Sequence, residues 1–142
     1  MTSKAIALIA HDRMKPNLVA FLKERESWLW GRKLLATGLT ADFVEQGGIK
    51  ADVEHLSPGK LGGYAELTKR VEQGDLGMVL FFRDADIVQD YERDVVEFLK
   101  ACNRNNIPLA TNPASAELLI LGQIKLEMGD KGRSRNVASS NH

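Results

Sequence analysis

Four short polar segments carry residue types that could do chemistry. His11-Asp12 follow the apolar run Ala5-Ile6-Ala7-Leu8-Ile9-Ala10. Thr37-Gly38-Leu39-Thr40 follow a second apolar run, and Ser57 opens a glycine-rich loop that ends at Gly62-Gly63. Arg83-Asp84 follow a third run, Met78 to Phe82. Threonine hydroxyls, a glycine that lets the backbone approach closely and the free amides of a helix start can together hold a phosphate or carboxylate. Lys15 and the Ser57 loop would add charge and donors. The same residues also suit a plain turn with Thr40 as a helix cap, the commoner use of such a pattern. His11 and Asp12 could contact a ligand or exchange a proton with it. Neighbours in an extended segment point apart, so the two do not read as a hydrogen-bonded dyad. Asp84 could orient a base or hold a loop, and Asp86, Asp90 and Asp94 add further carboxylates.

These segments need elements to place them. The continuous apolar run Ala5–Ala10 suits a strand buried on both faces, as parallel sheets require. Leu18, Val19, Phe21 and Leu22 predict a helix over about 15–27, with Pro16 tolerated in its first turn. Further strands are predicted over 33–37, 51–56, 78–82 and 107–110. Helices are predicted over 41–46, 64–73, 91–104 and 114–121. The pattern weakens after Gly122. Residues 126–142 read as a flexible tail, with Lys131, Arg133 and Arg135 solvated, after one domain over 1–125. Strands alternating with helices predict an α/β domain with a mainly parallel sheet. In such sheets the ligand sits beyond the carboxyl ends of the strands, where every polar segment above lies.

Composition narrows the function classes. The 142 residues make one domain, and 44% hydrophobic with 27% charged is an ordinary globular balance. Nineteen basic residues match nineteen acidic ones, which disfavours a nucleic-acid binder working through a broad basic field. Cys102 is the only cysteine, which rules out an internal disulfide and a cysteine-rich zinc site. His11, His55 and His142 show no metal-ligand spacing. No apolar stretch approaches the ~20 residues that span a bilayer. The short N-terminal run lacks the features of a signal peptide. A cytoplasmic protein without membrane partner is the expectation. Trp28, Trp30, Tyr64 and Tyr91 read first as packing residues and second as interface residues.

The ordered series Ile9-Ala10-His11-Asp12, Ala36-Thr37-Gly38-Leu39-Thr40, Leu56-Ser57, Gly62-Gly63, Phe81-Phe82-Arg83-Asp84 and Ile107-Pro108-Leu109-Ala110-Thr111-Asn112 resembles the methylglyoxal synthase family over about residues 4–121. The resemblance implies a doubly wound, mainly parallel five-stranded sheet flanked by helices, a homo-oligomer (a hexamer in this family) and no cofactor or metal. It implies elimination of phosphate from dihydroxyacetone phosphate through an enediolate, giving methylglyoxal. His11 and Asp12 then match the strand-end pair, and Lys15 the phosphate-contacting lysine. Thr37, Gly38, Thr40 and Ser57 match the phosphate cradle. Asp84 and Asp94 match two structural or catalytic carboxylates.

The chain departs from the family pattern at three positions. Tyr64 stands where the resemblance implies the base, Tyr91 where it implies a substrate-polarising histidine, and Leu39 at a cradle threonine. The loop after Ser57 is one residue longer. Loss of a general base costs ~10²–10⁴-fold and loss of an oxyanion donor ~10²–10³-fold. An ordinary tyrosine titrates near 10 and is a poor base at neutral pH. These substitutions predict a protein that holds a phosphate and eliminates it slowly. The alternative reading is a non-catalytic or regulatory module for a phosphate-bearing ligand, a nucleotide or a partner protein.

Overall fold

The computed structural model describes residues 4–140, with side chains as far as Gly129. Five strands form one sheet: β1 Ala5–Ala10, β2 Leu34–Thr37, β3 Val53–Leu56, β4 Leu76–Phe82 and β5 Leu109–Ala110. Their order is β3-β2-β1-β4-β5, and every pairing is parallel. The helices are α1 Lys15–Lys23, α2 Glu26–Leu29, α3 Gly38–Gln46, α4 Gly63–Glu72, α5 Glu92–Arg104 and α6 Pro113–Ser140. The expected doubly wound class is thus the observed one.

Strand alternation sorts the apolar residues into two cores. Ile6, Leu8, Ala10, Met78, Leu80 and Phe82 face one side, where Leu18, Leu22, Ala41, Val44, Ala116 and Ile120 of α1, α3 and α6 cover them. Ala5, Ala7, Ile9, Val79 and Phe81 face the other, beneath Leu67, Val71, Val95, Phe98 and Cys102 of α4 and α5. Both faces of the central strands are therefore dry, which is why β1 reads as an unbroken apolar run. The chain winds outward from β1 through β2 to β3, then crosses to β4 on the far side of β1. The loops leaving β1 and β4 consequently diverge, and a crevice opens between them.

Several boundaries differ from the sequence expectation. The helix expected over 15–27 is two helices, because the backbone opens at Arg25 (φ −120°, ψ 21°). The Arg25 guanidinium returns to the Phe21 carbonyl at 3.0 Å and covers the Phe21 ring. The helix expected from 41 begins at Gly38. The last helix does not stop near 121; its backbone is helical to Ser140. The flexible tail expected over 126–142 lies mostly outside the described side chains, as do Lys131, Arg133, Arg135 and His142. Among the described residues no helix is long and apolar enough to cross a membrane.

On the surface of β3, His55 sits against Glu45, with Asp42 3.7 Å away. The hydrogen bond to Glu45 raises its pKa above 6.5. A raised histidine pKa adds stability that is complete below 6.5 and is lost as pH climbs through the folded value. The thermal midpoint of wild type should therefore decline as pH rises above 6.5. His55→Gln should flatten that part of the profile; an unchanged slope would show that the cluster does not couple to folding.

Candidate functional site

The crevice at the carboxyl ends of β1, β2 and β4 is a cleft of about 570 Å³, within the range of small-molecule sites. Ala10, His11, Asp12 and Lys15 line it from the end of β1, and Thr37, Leu39 and Thr40 from the end of β2. Pro58, Gly59, Lys60 and Tyr64 close it from the loop before α4, and Gln89, Asp90 and Tyr91 from the segment before α5. A larger groove of about 680 Å³, bordered by Trp30, Arg32, Lys33, Lys50 and Arg70, lies at the opposite edge, where strands begin. Topology favours the first as the site.

The floor is built at the end of β1. The His11 amide donates to the Phe82 carbonyl at 3.1 Å and so continues the β1–β4 ladder by one residue. The Asp84 backbone N–H donates to His11 Nδ1 at 2.7 Å. That bond assigns the proton of the neutral ring to Nε2, which is buried and has no partner in the protein. Burial, with Arg83 nearby, lowers the His11 pKa below 6.5. The ring stays neutral at pH 7 and offers one N–H.

Lys15 is 7% exposed although it is charged. Its ammonium donates to the Ala10 carbonyl at 3.1 Å and to Asp12 Oδ1 at 2.6 Å. An ammonium has three protons, so one is left for the cleft. The hydrogen bond from Lys15 holds the Asp12 carboxyl below its ordinary value. Asp12 is nonetheless 87% exposed at its side chain and reaches into the opening.

The wall beside Lys15 is the first turn of α3. Thr37 is its N-cap, yet its side chain caps nothing. Thr37 Oγ1 lies 3.4 Å from Thr40 Oγ1, which lies 3.5 Å from the Ala10 carbonyl. These are long contacts for hydroxyls, so both can turn toward a stronger acceptor. The first amides of α3 have no intrahelical partner, and the helix dipole adds positive potential. Gly38 sits where a β-carbon would lie 3.2 Å from the Leu56 carbonyl and the Pro58 ring. Glycine here keeps the loop after β3 close to the helix start.

The expected residues are brought together unevenly. His11, Asp12, Lys15, Thr37, Thr40, Leu39, Tyr64 and Tyr91 all line the cleft. Asp84 stands behind His11, where its Oδ1 accepts from the Asp86 amide and Arg13 is 3.5 Å from its Oδ2. Ser57 contributes backbone: its carbonyl accepts from Gly38 and its amide donates to Glu66. Glu66 is thereby committed to the loop. Asp94 borders a different groove, between α4 and α5, with Thr68, Lys69 and Glu97. Lys60 and Gln89 join the cleft although sequence reasoning did not single them out, and so does Asp90, which it named only as a further carboxylate. Their signal was their place after β3 and β4.

Comparison with known proteins fits this geometry. A family model described as the MGS-like domain matches residues 17–111. Methylglyoxal synthase of Borrelia garinii subsp. bavariensis is 40% identical over 119 residues, covering 84% of this chain and 94% of that protein. The Moorella thermoacetica methylglyoxal synthase is 40% identical over 116 residues, covering 81% and 89%. The chain belongs to the methylglyoxal synthase family. A crystal structure of methylglyoxal synthase from Elizabethkingia anophelis NUHP1 superposes with a TM-score of 0.75 at 33% identity, covering 82% of this chain and 76% of that one.

Within this methylglyoxal synthase fold the two tyrosines form a continuous wall. Tyr64 and Tyr91 stack with ring centroids 5.7 Å apart and planes 29° apart. Tyr64 also packs on Phe81 and Phe98. Burial raises the pKa of both phenols, most strongly that of Tyr64. Neither is a proton acceptor at neutral pH. Among the residues lining the cleft, only Asp12 and Asp90 carry carboxylates.

Lys15 should therefore matter twice. Lys15→Met should weaken inorganic phosphate binding by ~10–100-fold, the worth of a hydrogen bond between charged groups, read by calorimetry. The same change should let the Asp12 carboxyl rise toward its ordinary value of 3.8 in an NMR titration. Unaltered phosphate affinity would remove Lys15 from the site.

Proposed function

We propose that the cleft binds dihydroxyacetone phosphate and eliminates its phosphate to give methylglyoxal and inorganic phosphate, a carbon–oxygen lyase reaction. One observation carries this reading. A buried lysine, two threonine hydroxyls held only by long contacts, a helix start and a neutral imidazole N–H converge on one cleft that Asp12 also lines. The family relationship supplies the substrate; the residues supply the roles. Lys15, Thr37, Thr40 and the α3 amides hold the phosphoryl group. His11 Nε2–H meets the carbonyl oxygen. Asp12 accepts the proton from the hydroxymethyl carbon, leaving an enediolate. Its electrons expel phosphate as the carbon–oxygen bond breaks, and the enol product rearranges to methylglyoxal.

The grip of Lys15 makes Asp12 a weak base, so turnover is slow. We expect a rate ~10²–10⁴ below that of the Borrelia garinii relative, the usual worth of a well-placed general base. Asp84 serves as a positioning group behind His11, and Ser57 shapes the loop. The same reading includes assembly of a homo-oligomer, a hexamer by resemblance, and a cytoplasmic location. It needs no metal or organic cofactor. The stack of Tyr64 and Tyr91 favours one second reading: a module that binds a phosphorylated ligand without turning it over.

A coupled assay with dihydroxyacetone phosphate, following methylglyoxal and phosphate together, separates the two. Turnover that is abolished in Asp12→Asn is the expected result. Because His11 must be neutral, activity should hold down to pH 6.5 and fall only below it, as His11 charges at its lowered pKa. No turnover beside saturable phosphate binding would establish the second reading.

A further inference from the structure

The position of Tyr64 has a steric signature in the loop that faces it. A β-carbon on Gly59 would lie 2.7 Å from Tyr64 Cε2 and 3.3 Å from Tyr91 Cε2. Gly59 is not among the glycines with positive φ. Its backbone conformation would accept another residue; the space would not. The glycine is there to admit the outer edge of the Tyr64 ring. Gly59 and Tyr64 both line the cleft. The ring is 3% exposed and gripped by Phe81, Phe98 and Tyr91. His11 packs edge-on against the same Phe81, with centroids 5.4 Å apart. Two cleft-lining rings, the neutral imidazole of His11 and the phenol of Tyr64, thus share Phe81 as their packing partner.

We infer that Tyr64 is a substrate-touching residue whose hydroxyl, together with His11 Nε2–H, forms a two-donor hole for the enediolate oxygen. This rests on the reading of the cleft as a phosphorylated-ketone site. Burial supports it, because it keeps the phenol protonated and therefore donating. Both donors are fixed by packing before the ligand arrives and sit in a region poor in water, where such groups stabilise developing charge best. Tyr64 in this role stabilises charge in place of accepting a proton, and proton removal falls to Asp12.

The test compares two ligands on three proteins by calorimetry. 2-Phosphoglycolate carries a planar carboxylate where the enediolate would form; inorganic phosphate carries only the phosphoryl part. Tyr64→Phe keeps the ring packing and should weaken 2-phosphoglycolate ~10–100-fold while leaving inorganic phosphate unchanged. Trp30→Phe, in the groove at the opposite edge of the sheet, should change neither. In wild type labelled with ¹³C at tyrosine Cζ, the Tyr64 resonance should move with 2-phosphoglycolate and stay put with inorganic phosphate; this arm holds even if a variant misfolds. Equal affinity of wild type and Tyr64→Phe for 2-phosphoglycolate, or an equal loss for both ligands, would overturn the inference and leave the phosphate site standing. Wild type that binds neither ligand would overturn the site itself, and the inference with it.

Discussion

The bond from the Asp84 amide to His11 Nδ1 ties together the ends of the two central strands. It is made where β1 and β4 stop pairing, and it spends the one ring nitrogen that could have accepted from a ligand. Everything at the floor of the cleft follows. The ring is neutral, its remaining proton is on Nε2, and its orientation is fixed from behind. The burial of His11 is tolerable only because one nitrogen is satisfied by backbone. The other is left buried without a protein partner, a costly state that a ligand oxygen would relieve. The fold concentrates unmet donors at one edge of the sheet.

Charge follows the same economy. The chain is neutral overall, yet the cleft gathers Lys15, Lys60 and the positive end of α3. Asp12 answers Lys15 directly. That pair sets the conflict within the site. The closer the ammonium stays to Asp12, the more firmly it holds the carboxylate ionised and the less basic that carboxylate becomes. A phosphate entering the cleft would compete for the same ammonium. In the proposed site the same side chain would thus serve both the phosphate and Asp12.

The legible part of the fold was whatever depends on periodicity and burial. β1 and β4 were plain because both faces are covered, and Thr37 to Thr40 because their position after a strand gives the types meaning. The unread part depends on packing between distant segments. Nothing local marks Arg25 as a helix break; its return to Phe21 does. Asp94 shares its turn with residues near the cleft, but the face of α5 that it occupies turns toward α4 and away from the ligand. Ser57 was read as a hydroxyl donor, whereas its backbone is what α3 and α4 use. Gly63 shows why: a β-carbon there would lie 2.2 Å from the Ser57 carbonyl, so the loop is clamped by its main chain.

The tyrosine wall is where sequence and structure together say more than either alone. By sequence, Tyr64 and Tyr91 are two losses relative to the family pattern. In three dimensions they are one object, stacked on each other and seated by Gly59 in a loop that is itself longer than the pattern. A side chain at position 59 would collide with the ring, so the loop and the ring are matched by shape. The wall lines the cleft, and its phenols, kept protonated by burial, present donors there and no base.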